Sequence, residues 1–113
     1  HHSCIVDTNR RMPRRWVFRE GEAQLVAQVQ GRFHVNSARA AAELAAAGLG
    51  IAYAPRFALC DGLASGNLVE VMTAYKADTT TVNAVYLEGR ALPRKVRALI
   101  DFAVQDIRTA DVL

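Results

Sequence analysis

An α/β fold, with a parallel or mixed sheet flanked by helices, is predicted by three features of the sequence. From Phe33 to Ala54 the chain runs strand, helix, strand with short connections, the pattern of parallel strands joined by a crossover helix. The second of those strands, Leu49 to Ala54, is an unbroken apolar run, as expected for a strand covered on both faces rather than half-exposed. Finally, Val96, Leu99, Ile100, Ala103, Val104 and Ile107 recur at helical spacing, the stripe of a helix with one face against a core.

Taken in order, Ser3 to Val6 is a short apolar strand running into the polar stretch Asp7 to Arg11. Arg15 to Glu20 alternates and predicts a second strand; Gly21 and Glu22 make a tight connection to a third, Gln24 to Val29, so the two should form a hairpin. Phe33 to Val35 is a brief strand leading to Asn36 and Ser37, whose side chains suit a helix N-cap. Seven of the ten residues from Ala38 to Ala47 are alanine, which favours helix and permits close packing. Gly48 stands where a left-handed residue closes a helix, and Pro55 stops the following strand. A short helix and a turn are expected between Pro55 and Gly66, a strand over Leu68 to Met72, a polar connection from Thr73 to Thr81, and a strand over Val82 to Leu87. Pro93 suits the first position of the last helix, which should reach Ala110, with Arg97 and Asp101 supporting it from the wet side.

Composition bounds the function. The 113 residues suffice for one domain, and the 51% hydrophobic and 22% charged content is that of a soluble globular protein. No apolar run is long enough to span a bilayer and no secretory signal opens the chain, so a cytoplasmic protein with no membrane partner is expected. Cys4 and Cys60 make no disulfide framework or zinc site; both should be reduced, and Cys4 buried. The net charge of +3 owes much to Arg10, Arg11, Arg14 and Arg15. Met12 and Pro13 interrupt that cluster, which reads as a solvated loop rather than a phosphate-binding face, so no DNA-binding residues are assigned.

An enzyme is not expected. No nucleophile elbow, zinc-protease helix, phosphate loop or dinucleotide fingerprint is present, no catalytic or metal-binding residue is assigned, and no cofactor is called for. Asp7 and Asp61 are not tied together by spacing. His34 lies near a strand end, where a lone histidine is more often packed or hydrogen-bonded than catalytic. The informative place is the junction after Val35. In α/β sheets ligands bind beyond the carboxyl ends of strands, where helix N-termini present unpaired N–H groups. Asn36 and Ser37 would stand there, with Tyr53, Ala54 and Pro55 as the opposite wall. A small anionic or polar organic ligand suits that geometry; Ser37 also has the plain task of capping the helix.

His2 and Cys4-Ile5, then Trp16-Val17-Phe18, Phe33-His34-Val35-Asn36, and the alanine-rich helix into Gly48-Leu49-Gly50-Ile51-Ala52 with Pro55 follow one another in an order that resembles the second effector-binding subdomain of LysR-type transcriptional regulators. Leu63 to Val71, Val85-Tyr86 and Leu92 to Phe102 extend the likeness over nearly the whole chain. The family often has tryptophan where Tyr75 stands, and proline where Leu87 stands. The resemblance implies a fold like the type 2 periplasmic binding proteins, with residues 1–75 most of subdomain II and residues 76–113 the crossover, last strand and last helix of subdomain I. It implies a small-molecule effector bound by Val35, Asn36, Ser37, Tyr53, Ala54 and Pro55, and self-association as dimer or tetramer. DNA contact would come only through an N-terminal helix-turn-helix absent from these residues, as is the first part of the effector domain. The chain is accordingly expected to be a fragment of a longer protein whose last helix exposes an apolar face. The alternative reading is a free-standing solute-binding domain of the same fold.

Overall fold

The computed structural model describes residues 1–77, 81–87 and 91–110. The chain divides into two compact units, His1–Asp78 and Thr79–Leu113.

In the first unit, β1 (Cys4–Asp7) lies at the centre of a parallel three-stranded sheet, between β4 (His34–Val35) and β5 (Ile51–Ala52). Val6 is level with His34 and Asp7 with Val35; on the other side Cys4 is level with Ile51 and Ile5 with Ala52. All four residues of β1 are buried. Strand alternation sends Cys4 and Val6 to one face, Ile5 and Asp7 to the other.

The face carrying Cys4 is covered by a hairpin. β2 (Arg15–Glu20) and β3 (Ala23–Gln28) pair antiparallel, with Glu20 opposite Ala23 across a two-residue turn. Gly21 has φ 60° in that turn, a conformation glycine adopts without steric cost. Trp16 and Val29 bury themselves against Cys4, and Phe18, Ala27, Ile51 and Tyr53 pack around them. The hairpin is stitched to its surroundings by Val29 N–H donating to the Arg14 carbonyl (2.8 Å) and Cys4 N–H to the Gln30 carbonyl (3.0 Å).

Helix α1 (Ala38–Ala46) packs on the sheet through Ala41 and Ala42, which are buried. Its alanines allow the helix to approach closely, as their number predicts. Ser37 caps it, and Gly48 follows it with φ 79°. Helix α2 (Arg56–Ser65) packs beside α1 and ends at Gly66.

Four expected elements differ. The strand over Leu49 to Ala54 is reduced to Ile51–Ala52, because β1 pairs with only those two residues. Leu68 to Met72 is not a strand: Leu68 N–H turns back to the Gly62 carbonyl (2.9 Å), and Val69, Val71 and Met72 are exposed. Leu68 instead lies over Gly62, so its apolar side chain covers the end of α2 rather than entering a ladder. Within the expected polar connection 73–81, Lys76–Ala77 forms β6 on the free side of β2, opposite Phe18 and Arg19; positions 78–80 lie outside the described residues.

In the second unit, Val82 to Leu87 carries strand-forming side chains but forms no ladder. A β-prone segment gains its backbone hydrogen bonds only from a neighbouring strand, and Val85 is 94% exposed. Helix α3 (Arg94–Ala110) follows Pro93 as expected, with Arg97 and Asp101 3.9 Å apart on its wet side. No residue of α3 is buried, and Leu99 and Phe102 are largely exposed. No helix among the described residues is long and apolar enough to cross a membrane.

Candidate functional site

Parallel pairing brings the carboxyl ends of β4, β1 and β5 to one edge of the sheet. β4 occupies one side of β1 and β5 the other, so the chain leaving β1 emerges between the ends of the two strands that lead into α1 and α2. Such an edge is where open α/β sheets take ligands.

Val35 ends β4, and its carbonyl accepts from Thr8 N–H (2.7 Å) and from Thr8 Oγ1 (3.1 Å). The next carbonyl, of Asn36, accepts from Asn9 Nδ2. The loop leaving β1 is thus tied across the end of β4, and Asp7 holds that loop by accepting Asn9 N–H on its carboxyl oxygen (3.0 Å). Asp7 is a buried acidic side chain, placed where a turn-forming residue closes a strand.

Ser37 accepts Ala40 N–H on its hydroxyl (3.3 Å), and its carbonyl takes Ala41 N–H (3.0 Å). Capping satisfies one of the orphan donors of α1; the first-turn N–H groups of Ala38 and Arg39 remain directed out of the helix end. No acidic residue lies in that first turn, so the positive end of the helix keeps its field. The exposed Asn36 amide stands beside it. The edge therefore offers N–H donors and an amide to a polar or anionic group.

Tyr53, Ala54 and Pro55 follow β5 at the same edge and lead into α2. Tyr53 is held by the scaffold. Its ring stacks on Trp16 (centroids 5.3 Å apart) and meets Phe18 edge-on (5.5 Å), its hydroxyl donates to the Val17 carbonyl (3.0 Å), and the Arg10 guanidinium lies 4.3 Å above the ring. Ala54 and Pro55 are half-buried.

Sequence reasoning did not single out Thr8 or Asn9, and took Arg10 only as part of a solvated basic loop. The polar run Asp7 to Arg11 was legible as a loop, but its role in tying down β4 depends on β1 and β4 being neighbours, which spacing alone does not state. His34 donates through Nε2 to the Gly31 carbonyl (3.2 Å), a structural bond of the kind expected for a lone histidine. Among the described residues no His, Cys, Asp and Glu cluster could hold a metal. Both cysteines are free, and Cys4 is buried.

Comparison with known proteins decides the family. The model of the LysR substrate binding domain matches residues 1–108. The chain belongs to the LysR substrate-binding domain family. That family's fold is periplasmic-binding-protein-like, in accord with the parallel sheet and flanking helices seen here. The chain is similar to an "Uncharacterized HTH-type transcriptional regulator" of Haemophilus influenzae, 31% identical over 99 residues, covering 88% of this chain and 34% of that protein. It is similar to the HTH-type transcriptional regulator PtxR of Pseudomonas aeruginosa, 28% identical over 97 residues, 86% of this chain and 31% of that one. It is also similar to the HTH-type transcriptional activator AaeR of Escherichia coli, 35% identical over 72 residues, 64% and 23% of the two chains. This LysR substrate-binding chain thus spans about a third or less of the length of the curated relatives it matches.

Proposed function

We propose that this LysR substrate-binding chain is the effector-sensing part of a cytoplasmic bacterial transcriptional regulator and not an enzyme. The observation that carries the reading is the sheet edge at which Val35, Asn36 and Ser37 meet the uncompensated N-terminus of α1, with Tyr53 to Pro55 following β5 on the far side of β1. A small organic effector, with an anionic or polar group toward the α1 N-terminus, is the ligand that such donors favour. The relatives' regulatory names support the same assignment. In this reading residues 1–75 are most of one effector-binding subdomain and residues 76–113 are part of the other. DNA is read by a helix-turn-helix outside these residues, and effector binding shifts the geometry of a homo-oligomer on DNA through differential affinity for its states.

A thermal-shift screen of small carboxylates and aromatics on the complete effector domain tests it. A hit should lose affinity roughly fivefold to tenfold on Asn36→Ala or Ser37→Ala, the effect of one or two lost hydrogen bonds. Unchanged affinity in both variants moves the effector elsewhere.

A further inference from the structure

The hairpin side of the sheet carries a second recess. An open cleft of about 410 Å³ lies beside Val6 and His34, which share one face of β1 and β4. Strand alternation puts it on the face opposite Ile5 and Asp7, so it is distinct from the α1 end of the strand-end site. Its volume falls within the range of small-molecule sites, roughly 300–1,000 Å³.

Its chemistry is lopsided. Its lining is mainly apolar, with Met12 and Pro13 beside Val6; the polar residues on it are Thr8, Arg14, Arg15, Gln28 and His34, and none is acidic. The loop from Thr8 to Arg15 holds four arginines and no acid, so its charge is not neutralised within the loop. Among the described residues neither Arg14 nor Arg15 is ion-paired; Arg15 Nη1 donates only weakly, to the thioether Sδ of Met12 (3.7 Å). Guanidinium groups in this state offer forked donors matched to a carboxylate, and the thioether and proline ring offer contact for an apolar body.

We infer that this cleft binds a small organic acid, with Arg14 and Arg15 holding its carboxylate and Met12 and Pro13 covering its apolar part. The site is built wholly from the first unit and stands apart from the strand-end effector reading: either can fail without the other.

The test is a titration of the isotope-labelled chain with benzoate, its neutral isostere benzamide, and sulfate, followed by backbone amide resonances. Benzoate should move the resonances of Thr8, Arg14, Arg15 and His34, and benzamide should bind at least roughly tenfold more weakly. The R14A/R15A double variant should lose roughly tenfold or more of benzoate affinity, while the double lysine variant, which keeps the charge but not the fork, should fall between it and the parent. Both arginines are exposed, so unchanged spectra elsewhere will report intact folding. The inference is overturned by no response to benzoate up to roughly 10 mM, by equal binding of benzoate and benzamide, by sulfate binding as well as benzoate, or by retention of affinity in the double alanine variant. Shifts gathered at Ala38 to Ala40 and lost in Asn36→Ala would place the carboxylate at the strand ends, sinking this inference while sustaining the proposed function.

Discussion

Trp16 is 4% exposed and its indole N–H has no hydrogen-bond partner among the described residues. Two opposed terms meet there: an aromatic of this size removes about 150–250 Å² from water, whereas an orphaned buried donor costs about 1–3 kcal/mol. Trp16→Ala should therefore cost about 3–5 kcal/mol, and Trp16→Phe, which keeps a ring against Tyr53 and sheds the orphan donor, should stay within about 1 kcal/mol of the parent. Urea denaturation distinguishes the two, and a phenylalanine variant as weak as the alanine one would contradict the balance. Cys4, at the same cluster, shows the reverse dependence on charge. Burial pushes its thiol above the ordinary value, because the thiolate is the form that burial penalises. A raised folded value means the contribution is fully present at pH below the ordinary thiol value and is lost as pH climbs from there through the raised folded value. Stability measured against pH should fall in that alkaline window, less so in Cys4→Ala. Iodoacetamide should label the half-buried Cys60 ahead of Cys4, and equal labelling rates would refute the burial argument.

At the scale of elements, the joints are as informative as the ladders. The link from β3 to β4 crosses the start of β1 so closely that a Cβ on Gly31 would stand 1.5 Å from the Cys4 carbonyl oxygen. Backbone must move to admit it. Gly31→Ala should cost about 1–3 kcal/mol, in the range of overpacking, and lower the melting temperature accordingly; an unshifted melt would contradict the tight crossing. The same joint carries Cys4 N–H to Gln30 and His34 Nε2 to Gly31, so one substitution loosens both the hairpin and β4. Most of these elements were legible in the sequence. β2 is bounded as predicted, since alternation and the Gly21 turn act over a few neighbouring residues. Ser37 caps α1 for the same local reason. Leu68 to Met72 and Val82 to Leu87 carry comparable β propensity, but strand formation needs a partner, and the described chain supplies none to either. Lys76–Ala77, with little propensity of its own, becomes β6 because the open side of β2 is within reach.

At the scale of the molecule, the second unit consists largely of one amphipathic helix with no buried residue. Leu99, Phe102 and Val104 of α3 add to an exposed apolar surface that also includes Val85 and Leu87. Apolar patches above a few hundred Å² favour association, so the chain should self-associate with rising concentration in sedimentation experiments. Leu99→Ser with Phe102→Ser should reduce that association, and a chain monomeric at all concentrations would count against it. The candidate site divides along similar lines. The sequence by itself determined the α/β class, the hairpin, the capped alanine helix and the candidacy of Asn36 and Ser37, because propensity, capping and alternation are settled by near neighbours in the chain. Tertiary structure decided that the Asp7 to Asn9 loop ties down β4, that Tyr53 is engaged by Trp16, Phe18 and Arg10, and that Arg14, Arg15 and His34 border one cleft. Those juxtapositions join residues distant in sequence, and they arise only when β1 takes its place between β4 and β5 with the hairpin closed over its face.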